Sequence, residues 1–596
     1  RNRVMRLMPN PPQPLHYSAE RNVQILVALL KAHGVRTVVV SPGTTNICFV
    51  WSVQQDRDFR LFSAADERQA AYLACGLATE SGEPVAITCT GATASRNYLP
   101  ALTEAYYRKV PVLAITATQT TTRIGNLVPQ LLDRTSLPKD AVRFSLQCPI
   151  PKDAEAERAC VLGVNRALIE LRRHGGGPVH INLETYYTRD FSVRELPSVR
   201  VIRHHTLETK AWPSLEGRKV GVWIGAHRTF SQEETTALER FVRAYDAVVF
   251  VDGTSGYQGL GAFRGALAFS QGGIGRHLRE QNLLPEVLIH IGEVSGDYPQ
   301  ETVGGAQEVW RVNPDGEVRD LFGKLTHVFE MEERTFFDHC TEGRPQGEAV
   351  WVKAWHCLDA EIRSQMPELP FSNPWMAQQL TPRLPKGSCL HLGILNSLRS
   401  WNLFPPPKGV EGAANVGGFG IDGCLSTALG AALAAPDKRV FLVLGDLAFF
   451  YDMNALGNRH LGRNLRILLV NNASGGEFHL YNHPAYQFGE AAGDYIAADG
   501  HYGNKSRELV RHYAEDLGLT YLFADDKASF EAQREIFLGD SETSILLECF
   551  TSPEDESEAH RLLNRIIPAP GTSLLHRVAS KTLPKGVKQT LRKAFS

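Results

Sequence analysis

No stretch of the 596 residues is apolar for long enough to cross a membrane. The longest apolar runs are strand-sized, whereas a spanning helix needs about 20 such residues. No secretory leader opens the chain, so a cytoplasmic location is expected. The ten cysteines are scattered, with no C-x-x-C pair and no Cys/His cluster at zinc spacing. That excludes a readable disulfide framework or structural zinc site and leaves reduced, mostly buried thiols. Charge of one sign is lacking as well: 63 Lys and Arg face 65 Asp and Glu, net −2. Without a basic excess, no nucleic-acid partner is expected. Heptads and solenoid repeats are absent too, which argues against a coiled coil or an array, and the strand-end glycines of the stretch 217–330 lack a full G-x-G-x-x-G, so nucleotide binding there is not expected.

What is present is an alternation of short β-branched runs with helical periodicity. The length suggests about three domains. Residues 1–15, basic and Pro-rich, read as a flexible arm. Helical spacing from Ala19 to Gly34 leads into the strand Arg36-Thr-Val-Val-Val and the turn Ser41-Pro42-Gly43. Strand-like runs follow at Pro84–Thr90, Pro111–Thr116 and Pro178–Leu183, making an α/β domain over 16–191. A polar linker is expected over 192–216. A second alternating unit over 217–330 is expected to be structural, and a charged stretch from Glu330 to Ala349 reads as the second linker. The third unit, 350–552, contains a long Gly-, His- and Tyr-rich loop after Ser474. Over 553–596 a basic tail is expected, with no acid but eight Lys or Arg after Glu558. A solvated, frayed tail is expected in preference to a membrane contact. Alternation of this kind signals mostly parallel sheets covered by helices, here three consecutive α/β domains.

The chain is organised around Arg439 to Leu456 and Leu465 to Gly476. Two apolar runs end in Gly445-Asp446 and in Asn471-Asn472. In a parallel sheet such tips share one edge, where ligands of open α/β folds bind. There Asp446 and Asn472 would offer hard oxygen donors suited to Mg²⁺ and a diphosphate. Ordinary polar strand ends at turns are the alternative. Phe62-Ser-Ala-Ala-Asp-Glu67-Arg opens a small-residue helix, where Glu67 could do no more than complement the helix dipole.

Gly-Asp, a helix, then Asn-Asn at this distance resembles the cofactor motif of thiamine-diphosphate enzymes. The run Gly445-Asp-Leu-Ala-Phe-Phe-Tyr-Asp-Met-Asn resembles one branch of them, 2-succinyl-5-enolpyruvyl-6-hydroxy-3-cyclohexene-1-carboxylate synthase of menaquinone biosynthesis. Cys89-Thr-Gly-Ala-Thr-Ala-Ser-Arg-Asn and Gly417-Gly-Phe-Gly-Ile-Asp-Gly-Cys-Leu-Ser-Thr-Ala resemble further family segments, and the likeness covers most of 16–550.

The resemblance implies pyrimidine-binding, central and diphosphate-binding domains, with thiamine diphosphate and Mg²⁺ as cofactors. Glu67 would promote the imino tautomer of the aminopyrimidine, and Gln130 would be a second catalytic residue. Pro42, Ser397, Phe419, Gly445 and Leu447 would line the cofactor, and Ile421 would prop it in its bent form. Asp446, the Asn472 amide and the Ser474 backbone carbonyl would hold the metal. The resemblance also implies a homodimer or homotetramer, with Glu67 and Asp446 supplied by different subunits.

The substrate pocket would comprise Thr44, Thr45, Asn396, Arg399, Trp401, Val416, Glu477 and Phe478. Here the sequence departs from the branch: arginines that grip substrate carboxylates are replaced by Thr45, Trp401 and Val416, and an Ile by Glu477. Thr, Trp and Val cannot make the bidentate contacts of a guanidinium. The expected activity is therefore decarboxylation of a small 2-oxo acid, with transfer of the carbanion-enamine to an acceptor other than isochorismate, or to a proton. A genuine menaquinone synthase using 2-oxoglutarate and isochorismate, or a non-catalytic scaffold, are the alternatives.

Overall fold

In a computed structural model the described residues are 16–296, 305–501 and 505–567. The expected arm, 1–15, and the tail beyond 567 lie outside them. The chain divides into two compact units, 1–205 with 317–328 and 206–316 with 329–596.

The first unit is built on six parallel strands. Their order is Arg60–Ser63, Thr37–Val40, Val85–Cys89, Val112–Thr118, Val179–Glu184 and Phe144–Cys148. The inner strands are buried on both faces, which is why they read as continuous apolar runs. Helix Arg21–Ala32 closes one face with Ile25, Leu26, Leu29 and Leu30 fully buried. Each such side chain stabilises the fold by about 1.5–3 kcal/mol. Helix Glu67–Ser81 packs the other face through Ala70, Ala71, Ala74 and Ala78, in one cluster with Val39, Ile87 and Ala114.

In the second unit, five of the seven strands of the central sheet run parallel in the order Ala262–Arg264, Val248–Val251, Val220–Ile224, Val287–Ile291 and Glu308–Val312. A third sheet has six parallel strands in the order Glu411–Ala414, Cys389–Leu392, Val440–Gly445, Leu465–Asn471, Ile545–Phe550 and Thr520–Ala524. The three parallel-sheet α/β architecture expected from the sequence is thus present. Counted along the chain, the first and third sheets share the order 2-1-3-4-6-5. In both, the direction of winding reverses between strands 1 and 3, the switch point at which open α/β sheets form their ligand crevice.

Three stretches differ from expectation. The first linker contains a short strand, Arg203–His205. The second contains helix Glu333–Thr341, whose Phe336 and Phe337 are buried near Trp212 and Phe241. The start of the expected tail is helix Pro553–Leu563, capped by Ser552 and anchored by the buried Glu556 and His560. A Ser N-cap, Pro at the first position and acids in the first turn favour helix there despite the basic residues that follow.

Candidate active site

In the first unit the tips of strands Thr37–Val40 and Val85–Cys89 flank the switch point. The turn after the first tip is forced close to the second: a Cβ on Gly43 would lie 2.3 Å from Thr90 Cβ. Thr45 is buried there and its hydroxyl is already used. It bonds Thr90 Oγ1 at 2.7 Å and donates to the Ala117 carbonyl at 3.3 Å. Pro42 and Thr44 are exposed. Ala92, just past the second tip, has φ 57° and ψ −133°, a strained backbone of the kind that gathers at functional turns. Glu67 is half-buried at the first position of its helix. The Asp66 carboxylate caps that helix by accepting from Gln69 N at 3.0 Å, which fixes where Glu67 emerges. Gln130 is exposed in an irregular stretch, with φ 64°.

In the second unit the crevice lies among the tips of Cys389–Leu392, Val440–Gly445 and Leu465–Asn471. Asp446 is 5% exposed, and burial pushes its carboxyl up to about 7. Backbone N–H groups, including those of Leu447 and Ser474, offset part of that, while nearby Glu548 adds to it. Asn472 Oδ1 accepts from Ser474 N at 3.2 Å. Ala473 between them adopts φ 62°, and the Ser474 hydroxyl is buried without a hydrogen-bond partner. Gly476 is the close neighbour: a Cβ there would meet Asn472 Nδ2 at 2.4 Å and Asn396 Nδ2 at 3.2 Å.

Among the described residues no three His, Cys, Asp or Glu side chains are placed to hold a metal ion between them. One buried carboxylate beside amide and backbone oxygens is instead a hard-oxygen set that leaves positions for diphosphate and water, so these residues fit Mg²⁺.

The short helix Asn396–Asn402 supplies the crevice's other wall and begins after Leu395, at φ 71°. It is pinned by four hydrogen bonds from three neighbours. Asn373 Nδ2 donates to Ser397 Oγ at 3.1 Å, and Trp401 Nε1 donates to Asn373 Oδ1 at 2.8 Å. Ser400 Oγ lies 3.2 Å from Nε2 of His560, whose burial, aided by Arg399, lowers its pKa to about 3 and keeps the ring neutral. Gly253 N donates to Asn402 Oδ1 at 2.9 Å.

Arg399, pointing out of this helix, meets Glu477 in a bidentate pair. Nη1 reaches Oε2 at 2.8 Å and Nη2 reaches Oε1 at 3.2 Å, while Nη1 also donates to Asn396 Oδ1 at 3.1 Å. Trp401 and Val416 are buried, with the Trp401 indole committed to Asn373. Phe478 packs edge-on to His483 at 5.3 Å. Gly445, Leu447, Phe419 and Ile421 are half-buried, Phe419 with φ 57°.

Asn396, Arg399, Asn472, Ser474, Gly476 and Glu477 are thus linked by contacts within one unit. Asn373 escaped sequence reasoning, although Ser372-Asn-Pro-Trp is a readable helix start.

Comparison with known proteins gives this arrangement a family. Residues 21–137 match the thiamine pyrophosphate enzyme, N-terminal TPP binding domain. Residues 401–549 match the thiamine pyrophosphate enzyme, C-terminal TPP binding domain. A 2-succinyl-5-enolpyruvyl-6-hydroxy-3-cyclohexene-1-carboxylate synthase of Phocaeicola vulgatus is 32% identical over 91% of this chain and 97% of its own length. One from Bacteroides fragilis is 32% identical over 91% and 98%. The chain belongs to the thiamine-diphosphate enzymes.

A solved relative, the thiamine diphosphate-dependent 4-hydroxybenzoylformate decarboxylase of Rhodococcus jostii RHA1, aligns with 89% of this chain and 99% of its own. At 18% identity and a TM-score of 0.37, that likeness is too weak to bear on mechanism. Among the described residues, no helix is long and apolar enough to cross a membrane.

Proposed function

We propose that this thiamine-diphosphate enzyme decarboxylates a 2-oxo acid and passes the remaining fragment to an acceptor other than isochorismate, or to a proton. The observation that carries the altered substrate is the Arg399–Glu477 pair. The cation on the pinned helix is neutralised from within, so this wall offers no free guanidinium to a substrate carboxylate. Thr45, Trp401 and Val416, the three positions at which the branch carries arginine, supply no charge, and all three are buried.

Asp446, Asn472 Oδ1 and the Ser474 carbonyl would hold Mg²⁺, and through it the diphosphate. Bound thiamine diphosphate supplies a nucleophilic carbon and an electron sink. Glu67 would hydrogen-bond the aminopyrimidine ring and so favour its reactive imino tautomer. The half-buried Ile421 would press on the cofactor and set its bend. The pinning of helix Asn396–Asn402 by four hydrogen bonds keeps Asn396 and Ser397 in place without reorganisation, as preorganised catalysis requires. A homo-oligomer is part of this proposal and is checked by light scattering.

The test is carbon dioxide release from a panel of 2-oxo acids with thiamine diphosphate and Mg²⁺, without acceptor. Release from one acid, lost in Glu67→Gln, identifies the donor. Silence across the panel together with failure to bind the cofactor refutes the proposal. A second reading is favoured by the names of the 32%-identical relatives. Product from 2-oxoglutarate plus isochorismate, at rates above those with any other acceptor, would establish it instead.

A further inference from the structure

Arg134 lies in the irregular stretch between strands Val112–Thr118 and Phe144–Cys148, and its side chain is fully buried. Nη2 donates to the Ala117 carbonyl at 2.9 Å. Nε and Nη1 are enclosed and meet no hydrogen-bond partner, and among the described residues no carboxylate pairs with the side chain. A guanidinium carries five donors and cannot shed its charge at physiological pH, so one made bond leaves a buried cation largely uncompensated. The charge is felt nearby. It adds to burial in holding the His180 imidazole at about 3, while burial pushes the facing Cys89 thiol up to about 12 and keeps it neutral.

This cation sits on the ligand side of the first sheet. The carbonyl it bonds, Ala117, is at the C-terminal end of its strand and also accepts from Thr45 Oγ1 at 3.3 Å. The guanidinium therefore borders the turn at the switch point, where parallel sheets take their ligands. Its own stretch has neither α-helix nor strand between Gln119 and Arg143, only the turn Thr121–Arg123. Leu127 and Gln130 there adopt left-handed φ of 56° and 64°, and Leu127 is 99% exposed. Such a segment can yield to an incoming group at little cost in buried area.

We propose that Arg134 is a specificity-determining residue that takes a carboxylate of the substrate. The carboxylate concerned is one that survives the reaction. An ion pair to the group lost as carbon dioxide would stabilise the ground state more than the transition state and oppose the chemistry. The inference rests on the proposed 2-oxo acid chemistry for its role, but not for the existence of the anion site.

The probes are glutarate and butyrate, the same three-carbon chain carrying two carboxylates or one. In the full chain with thiamine diphosphate and Mg²⁺, glutarate should inhibit about tenfold more tightly than butyrate. Arg134→Gln should abolish the difference and raise the donor KM by a larger factor than it lowers kcat; Arg134→Lys should keep part of both. Independently of activity, glutarate should slow trypsin cleavage after the exposed Arg123 in the unmodified protein and not in Arg134→Gln. That readout survives if no 2-oxo acid is turned over, so failure of the site and failure of the reaction class are told apart. Equal inhibition by the two acids with no protection overturns the proposal. So does discrimination that persists in Arg134→Gln, or in Arg134→Lys if the Gln variant fails to fold, since the residue would then be structural only.

Discussion

Replacing Glu477 with Gln tests whether this pocket has been neutralised from within. The pair it breaks is bidentate, at 2.8 and 3.2 Å, with side chains 26% and 19% exposed. Fully buried pairs lose about 3–5 kcal/mol when one partner is removed and exposed pairs lose about 0–1 kcal/mol. Glutamine keeps the volume and one acceptor for the guanidinium, so at this partial exposure the stability cost should be about 1–2 kcal/mol. The functional effect has the opposite sign. Arg399, still oriented by Asn396 Oδ1, becomes available to an external carboxylate. One new charge-assisted bond is worth about 1.5–3 kcal/mol, a fall of about ten- to a hundredfold in KM for a substrate with an extra carboxylate. The assay is steady-state carbon dioxide release from paired monocarboxylic and dicarboxylic 2-oxo acids, with thermal unfolding alongside. A KM that falls for both acids alike, or for neither while stability drops, would refute the reasoning. It would show that Glu477 only fastens the helix.

Gly476→Ala places a Cβ 2.4 Å from Asn472 Nδ2; it should displace that amide and weaken Mg²⁺-dependent cofactor binding by about tenfold or more, read by calorimetry. Thiamine diphosphate with Mg²⁺ at about 100 times Kd should stabilise the protein by about 2.7 kcal/mol. Asp446→Ala or EDTA should remove that shift, whereas Glu67→Gln should retain most of it. Glu556, whose carboxyl burial pushes up to about 7 although it accepts from Asn373 N and Thr551 Oγ1, should make stability fall as pH rises. Between an unfolded value of about 4.5 and the folded value the native state holds the extra proton, so the loss accumulates over that window and is complete above about 7. Glu556→Gln should therefore be more stable than the parent at about pH 8, by up to about 3 kcal/mol, and equal to it at about pH 4, measured by denaturant unfolding. A gain that does not change with pH would assign it to packing.

Where sequence and structure agree, the agreement has a local cause. Asp446 and Asn472 could be placed at neighbouring tips because each ends a short apolar run, and such runs in a parallel sheet have one direction. Glu67 could be placed at a helix start because Asp66 caps it and a run of small residues comes after it. What escaped had too few apolar residues to show a period, or depended on partners far along the chain. Helix Glu333–Thr341 has only Phe336 and Phe337 to bury beside its last residue, Thr341. Strand Arg203–His205 is three residues long. Glu477 lies 78 residues from Arg399, and Trp401 is 28 from Asn373.

The same distinction explains why chemistry type was easier to read than substrate. A cofactor is held by strand tips, whose position is set by local pattern and topology. Charge selectivity depends on whether a guanidinium is already spent on a carboxylate elsewhere in the chain. Arg399, expected in the substrate pocket, is spent on Glu477. Arg134, in an unremarkable Asp-Arg-Thr stretch, has two enclosed nitrogens with nothing to meet. On the proposed reading, substrate preference turns less on how many arginines the chain has than on which buried guanidinium lacks a carboxylate partner. The two substitutions Glu477→Gln and Arg134→Gln should accordingly move the preference for carboxylate-bearing substrates in opposite directions.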